Sequence, residues 1–249
     1  MKKYFFLNNL YKPNIGGIEN SLFNLTSSID NPNVTPVIIT STINHFSSEN
    51  LKRNDKVKNV LVFRYDVSRF YLFNTINIII NVYKILKRVE AKSSDIYVIR
   101  DKRMLLGIKL AVPFAKVKFL VPGLTYYQDF YFGNKKFKNY IFLIFNCFWE
   151  LIAMLFSSEI YVFSTLMSNQ IKNVYRQKSI KVRPGVDLDL FRPLSKTLKN
   201  TLKKEFDIPE SKSILLFTGR FSGQKGLPII LLNFLKLDST KYQLILVGS

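Results

Sequence analysis

Two short stretches carry residue types suited to holding phosphate. In the first, Leu215-Leu216-Phe217-Thr218 runs into Gly219-Arg220, and then, past four more residues, into Lys225-Gly226 and a new apolar run. A strand, a turn and a helix in that order put free backbone N–H groups and two cations at one helix N-terminus, where a diphosphate can be held. In the second, Gly16-Gly17-Ile18-Glu19 follows an apolar strand and opens a helix. Its glycines let the backbone approach a ligand closely, and its N–H groups favour phosphate or carboxylate. It is not a dinucleotide fingerprint, because Gly-x-Gly-x-x-Gly is absent. Glu19 has two readings, a ligand contact and a cap on its own helix. Two further loops concentrate chemistry. Arg100, Lys102 and Arg103 crowd one, and Gly123, Tyr126, Tyr127, Phe130, Tyr131 and Phe132 crowd the other. Cations suit a pyrophosphate, and aromatic faces suit sugar rings or lipid.

These loops need a scaffold, and the hydrophobic pattern supplies one. Short apolar runs predict strands over 3–7, 36–40, 60–64, 95–99, 117–120 and 160–164. Longer periodic stretches predict helices over 18–28, 75–89, 104–112, 140–156 and 166–175. That alternation predicts an α/β fold with a parallel sheet covered on both faces. Ligands in such sheets lie beyond the carboxyl ends of the strands, which selects the loops over 8–17, 100–103 and 121–133. Near Arg183-Pro184-Gly185-Val186-Asp187 the alternation breaks, and polar, proline-containing sequence continues to Ile208-Pro209. A strand–helix–strand then begins at Ser213, with strands over 214–217 and 243–247. The reading is a domain over 1–184, followed by a linker and the start of a second domain over 185–249. A parallel pair with open edges predicts poor solubility for that second part.

The chain has 249 residues, 47% of them hydrophobic, with 22 Phe and 13 Tyr, so it can bury a core and is not disordered. Its formal charge is +20. Residues 1–169 hold 22 bases against 11 acids, and residues 170–249 hold 15 against 6. An excess spread this evenly lacks the concentrated patch that a nucleic-acid arm would show, and it fits phosphate-bearing substrates or an anionic membrane surface. One cysteine and one histidine exclude a Cys/His metal cluster. With no signal-type segment before the first strand, the expected compartment is the cytoplasm. The apolar run over 140–156 and its flanks carries Asn139, Asn146, Glu150 and Ser157 on one narrow stripe. Glu150 within it argues against a membrane span. Two placements remain, a helix buried against the sheet and one docked on a bilayer beside Lys135, Lys136 and Lys138.

Taken in order, Gly16-Gly17-Ile18-Glu19, Pro184-Gly185-Val186-Asp187-x3-Phe191-x-Pro193 and Gly219-Arg220-x4-Lys225-Gly226 resemble the glycosyltransferase family 4 group of GT-B enzymes. The resemblance implies a complete N-terminal Rossmann-like domain and the first strand–helix–strand of a second. It implies a nucleotide-sugar co-substrate with no metal or other cofactor, because basic side chains stabilise the departing nucleoside diphosphate. It further implies retaining transfer to a glycan or lipid-linked acceptor in surface polysaccharide synthesis, in the cytoplasm or at the inner face of the membrane. Carried over, Arg220, Lys225, Gly16 and Gly17 face the donor diphosphate. Glu19, Arg100, Arg103, Gly123, Tyr126 and Tyr127 are acceptor-side candidates, and no residue is assigned a catalytic role. Two departures stand out. Val121-Pro122-Gly123 occupies the place where many relatives have a histidine, and His45 follows a different strand. The family's Glu-x7-Glu segment would fall beyond residue 249, so the chain reads as C-terminally truncated. The alternative is an inactive relative that binds membrane or glycan.

Overall fold

The computed structural model describes residues 2–68, 71–127, 137–221 and 225–248, and the side chains of all of these except 71, 72 and 137–140. Residues Met1–Gly185 and Val186–Ser249 form two compact units.

The first unit alternates as its hydrophobic pattern requires. Its elements are β1 (Lys2–Leu7), α1 (Gly17–Ser27), β2 (Val34–Ser41), β3 (Asn54–Val57), β4 (Val60–Tyr65), α2 (Tyr71–Arg88), β5 (Ile96–Ile99), α3 (Met104–Ala111), β6 (Val117–Leu120), α4 (Phe137–Phe156), β7 (Glu159–Val162), α5 (Thr165–Tyr175) and β8 (Ile180–Lys181). Among the described residues eight strands form one sheet, in the order β3-β4-β2-β1-β5-β6-β7-β8. All neighbours are parallel except β3, which pairs antiparallel with β4 and qualifies the all-parallel expectation. Lys58, in the left-handed region at φ 55°, turns the chain between them. Charged, short and at the edge, β3 blunts the sheet against further pairing.

Successive residues of β1 serve opposite faces, as pleating dictates. Phe5 and Leu7 join one core with β5, β6, α2, α3, α4 and α5 residues, while Phe6 joins a second core with Tyr11, Leu22 and Ile38 under α1. Phe5 stacks on Tyr97 at 5.2 Å between ring centroids. Each fully buried side chain of this size contributes about 1.5–3 kcal/mol. Helix α3 comes so close to α2 that a Cβ on Gly107 would lie 2.7 Å from the Ile79 carbonyl oxygen.

The order of connections puts the topological switch between β1 and β5. The chain leaves β1 toward β2 and β4, then returns past β1 to β5. In open α/β sheets this is where a crevice forms at the carboxyl edge.

Helix α4 is inverted relative to an ordinary surface helix. Glu150, in its polar stripe, faces the protein at 2% exposure, beside buried Trp149, Ala153 and Met154. Ile144, Phe148, Leu151 and Leu155 face outward instead, at 71%, 52%, 39% and 53% exposure. The buried carboxylate is fully used. Its oxygens accept from Thr125 N–H (3.0 Å), Thr125 Oγ1 (2.6 Å) and the Tyr175 hydroxyl (2.6 Å). Among the described residues no helix is long and apolar enough to cross a membrane.

The second unit holds α6 (Lys196–Glu205), β9 (Ser213–Thr218), α7 (Leu227–Phe234) and β10 (Tyr242–Val247). Strands β9 and β10 pair in parallel from Ser213↔Tyr242 to Thr218↔Val247. Ser195 caps α6 by accepting from Leu198 N–H at 3.2 Å. The lysine-rich, polar sequence of α6 hid it from the hydrophobic pattern.

Candidate functional site

The loop after β1 is pinned so that Gly16 is delivered to the sheet edge. The Asn9 carbonyl accepts from Ser41 N–H (3.1 Å) and Ser41 Oγ (2.6 Å), and Asn14 Nδ2 donates to the Ile43 carbonyl (2.8 Å). Gly16 is the N-cap of α1, in extended conformation, and as glycine offers no side chain to cap the helix. Glu19 is 9% exposed and folds back over this terminus. A Cβ on Gly16 would lie 2.2 Å from its Oε2, whereas a Cβ on Gly17 would meet nothing within 4 Å. Glycine at 16 therefore makes room for Glu19. Glycine at 17 answers no steric demand from the described residues.

Across the switch, the Arg100 N–H donates to the Leu7 carbonyl at 2.9 Å, which ties the end of β5 to the end of β1. Arg100 is 6% exposed, and its guanidinium lies over the Phe163 ring at 5.5 Å. Its Nε and Nη1 have no hydrogen-bond partner among the described residues. Burial pushes its pKa down, and the charge of Glu19 partly restores it. Arg103 is in a different state. Its Nε donates to Asp101 Oδ1 at 2.9 Å, completing an ion pair within one turn. Burial tends to raise the Asp101 carboxyl, but Arg103 and Lys102 outweigh it and hold the group below its ordinary value. Burial, and then the Asp101 charge, push the Tyr65 hydroxyl well up. That hydroxyl donates to Asn9 Oδ1 at 3.1 Å.

The loop after β6 is fixed by Glu150 at Thr125. Lys102 Nζ also reaches Glu150 (3.4 Å) and the Thr125 hydroxyl. Gly123 is half-buried in this loop. Tyr126 is 42% exposed and meets Tyr127 edge-on at 5.5 Å, and Tyr127 packs on the main core. Phe130, Tyr131, Phe132, Lys135 and Lys136 lie outside the described residues, as does the Lys138 side chain. His45 is held through its N–H by Asn14 Oδ1 at 2.8 Å, in the loop after β2. Gly16, Glu19, Arg100 and Arg103 thus converge on one edge of the first unit, joined by Asn9, Tyr65, Asp101 and Phe163. Those four escaped the sequence reading, because their roles come from strand order rather than from local pattern.

In the second unit, Gly219 follows β9 at φ 147°, and its N–H donates to the Val247 carbonyl at 2.9 Å. Arg220 comes next and is exposed. Lys225 is exposed immediately before Gly226, the N-cap of α7 at φ 68°. The Gly226 carbonyl accepts from Ile229 and Ile230 N–H at 3.0 and 3.1 Å. Pro228 in the first turn suits a helix start, where no N–H is needed. Neither cation has a hydrogen-bond or ion-pair partner among the described residues. Gly248 is a further, unforeseen part, since a Cβ there would lie 1.8 Å from the Gly219 carbonyl oxygen. Only glycine at 248 allows the turn that carries Arg220.

A cavity of about 490 Å³ in the first unit is lined by Arg53, Arg64, Tyr65, Asp66, Lys84 and Arg88 among others. Its arginines are largely committed. Arg53 pairs with Asp66, and Arg64 with Asp55 and two carbonyls. Among the described residues no group of three or more His, Cys, Asp or Glu could hold a metal ion.

No protein-family model matches the sequence, and no curated protein matches it. Solved structures do match. Sucrose-phosphate synthase from Thermosynechococcus elongatus superposes with TM-score 0.76 at 12% identity, over 100% of this chain and 63% of that one. WaaG, a glycosyltransferase involved in lipopolysaccharide biosynthesis, gives TM-score 0.72 at 14% identity, over 98% and 62%. Anabaena HepE in complex with UDP-glucose gives 0.67 at 13% identity, over 99% and 60%. The chain thus spans about three-fifths of the length of these structures. At such identities what is shared is the fold, and that fold is the α/β architecture of GT-B glycosyltransferases.

Proposed function

We propose that this chain belongs to a glycosyltransferase resembling family 4, which moves a sugar from a nucleotide-sugar donor to a glycan or lipid-linked acceptor with retention of configuration. Surface polysaccharide synthesis is the proposed setting. The observation that carries the reading is the pair of cations Arg220 and Lys225, which have no partner among the described residues and flank the segment that leads into α7 in a chain of GT-B fold. Negative charge grows on the departing diphosphate, and fixed cations nearby stabilise it. By analogy with other preorganised donors, removing one raises the barrier by about 2.7–4 kcal/mol. No other cofactor enters the proposal. The test is incubation of the chain with a panel of nucleotide sugars and prenyl phosphate acceptors, with products identified by mass spectrometry and their anomeric configuration by NMR. A glycosylated acceptor retaining the donor's configuration is expected. An inverted product would refute retention, and no transfer across the panel would favour the alternative of a binding module without transferase activity.

A lipid-linked acceptor implies a membrane face, and the outward side of α2, α3 and α4 has the chemistry for one. Ile76, Leu110, Phe114, Ile144 and Phe148 are exposed there. Residues 71–88, 104–118 and 137–156 contain seven Lys or Arg and one acid, the buried Glu150. Apolar side chains set among cations, with no exposed acid, match an anionic lipid surface. We place the protein at the cytoplasmic side of such a membrane.

A further inference from the structure

We infer that the cavity between α2 and the β3–β4 edge of the sheet binds an anionic sugar, a hydroxyl-rich ring that carries a carboxylate or a phosphate. One wall is a stripe of α2. Asn77, Asn81, Lys84 and Arg88 recur at helical spacing and share one face. Opposite them stand Arg53, just before β3, and Asp66, just after β4.

A solvated helix face would explain the stripe alone, but this face is tied to a second wall. Asn77 Nδ2 donates to the Asp66 carbonyl at 2.5 Å, and Arg88 Nη2 donates to Asn54 Oδ1 at 3.0 Å. The enclosed space of about 490 Å³ lies within the ~300–1,000 Å³ range of small-molecule sites, and a bare phosphate would leave most of it empty.

The charges select the ligand. Arg64 and Arg53 are balanced by Asp55 and Asp66. Lys84 and Arg88 are not, because Asp66 is the only acid that lines the cavity among the described residues. As like charges four residues apart on a helix they repel each other. Lys84 has no hydrogen-bond or ion-pair partner among the described residues. The Arg88 guanidinium is held over the Phe63 ring at 5.3 Å, and its Nε and Nη1 make no hydrogen bond among the described residues. Part of a planar, oriented fork is therefore left for a ligand. An anion placed between the two cations removes their repulsion and gains charge-assisted hydrogen bonds.

The other end of the cavity suits hydroxyls. Asp66, which accepts from the Thr42 hydroxyl at 3.2 Å, offers a carboxylate, and Asn81 and Ser68 offer groups that donate and accept. The Arg53–Asp66 pair is exposed, at 73% and 51%, and contributes little to the fold, so a ligand can compete for it. A site for a bare anion has no use for a carboxylate in its wall. One for a neutral sugar has no use for two unbalanced cations. The site lies at the sheet edge, where β2 separates β4 from β1, and binding there does not depend on the proposed transfer reaction.

The experiment titrates the full chain by calorimetry with methyl glucuronide, glucose 6-phosphate, methyl glucoside and inorganic phosphate, in wild type, Lys84→Gln, Arg88→Gln, Asn81→Ala and Lys225→Ala. At least one anionic sugar is expected to bind about tenfold more tightly than methyl glucoside or inorganic phosphate. Lys84→Gln and Arg88→Gln should each weaken it about fivefold or more, Asn81→Ala less, and Lys225→Ala not at all. Tight binding of the glucuronide assigns the anion as a carboxylate and of glucose 6-phosphate as a phosphate, and either supports the site. The proposal is overturned if neither anionic sugar binds, or if methyl glucoside or inorganic phosphate binds as tightly. It is equally overturned if affinity survives both Lys84→Gln and Arg88→Gln, or is lost in Lys225→Ala instead. Thermal midpoints guard against misfolding. Lys84→Gln, at an exposed and unpaired position, should melt no lower than wild type, and a large drop would mark Lys84 as structural and overturn the proposal. Should the sugar bind through Lys84 while no nucleotide sugar is bound or used, the transferase reading fails and the site stands. Sugar transfer without such binding overturns the site alone.

Discussion

The two units use the same local grammar and reach opposite degrees of burial. In Met1–Gly185 the alternating residues of β1, β2 and β5 lie between two helical layers, and Phe5, Leu7, Ile38, Ile39 and Ile99 are all 0% exposed. In Val186–Ser249 the strands β9 and β10 are as apolar, yet Leu216 is 62% and Val247 53% exposed. The apolar residues of β9, β10 and α7 line a cavity of about 350 Å³. Parallel strands are ordinarily covered on both faces. An apolar strand is therefore a statement about neighbours it needs, and burial follows only where the topology provides them.

The difference predicts unequal costs for equal truncations. Phe5→Ala should lower stability by about 3–5 kcal/mol, as cavity formation in a packed core does. Leu216→Ala should cost below about 0.5 kcal/mol, the range of surface changes. Urea unfolding of the two variants checks this, and similar losses would erase the contrast. A smaller effect tests the outward face of α4. Replacing Ile144 and Phe148 together with Asp should reduce co-sedimentation with phosphatidylglycerol vesicles about tenfold, equivalent to about 1.4 kcal/mol. Undiminished binding would remove the membrane from the account. The smallest change is expected from Gly17→Ala, which should leave stability unchanged or raise it by about 0.4–1 kcal/mol through a less flexible unfolded chain. Unfolding by this substitution would contradict a Gly17 that no neighbour crowds.

Much of the first unit was legible because its strands announce themselves. Tyr4-Phe5-Phe6-Leu7 and Val37-Ile38-Ile39 are apolar runs flanked by polar turns, and only burial on both sides accommodates them. Strand β3 was not legible, since Asn54-Asp55-Lys56 has no strand preference and is held by the hairpin alone. The polar stripe of α4 could be read from its spacing, but its inward direction could not. That direction is set by Thr125 and Tyr175, which are remote in sequence from Glu150. For the same reason Arg100 and Arg103 looked alike in one loop. Only the fold shows Arg103 engaged with Asp101, and Arg100 with Nε and Nη1 unpartnered among the described residues.

The central claim is that a nucleotide-sugar diphosphate is held by Arg220 and Lys225. Calorimetric titration of UDP-, ADP- and GDP-sugars into the intact chain tests it most directly. The account predicts saturable binding of at least one, weakened tenfold or more in both Arg220→Ala and Lys225→Ala, as loss of a charged hydrogen bond worth about 1.5–3 kcal/mol requires. Binding that survives both substitutions unchanged would contradict it.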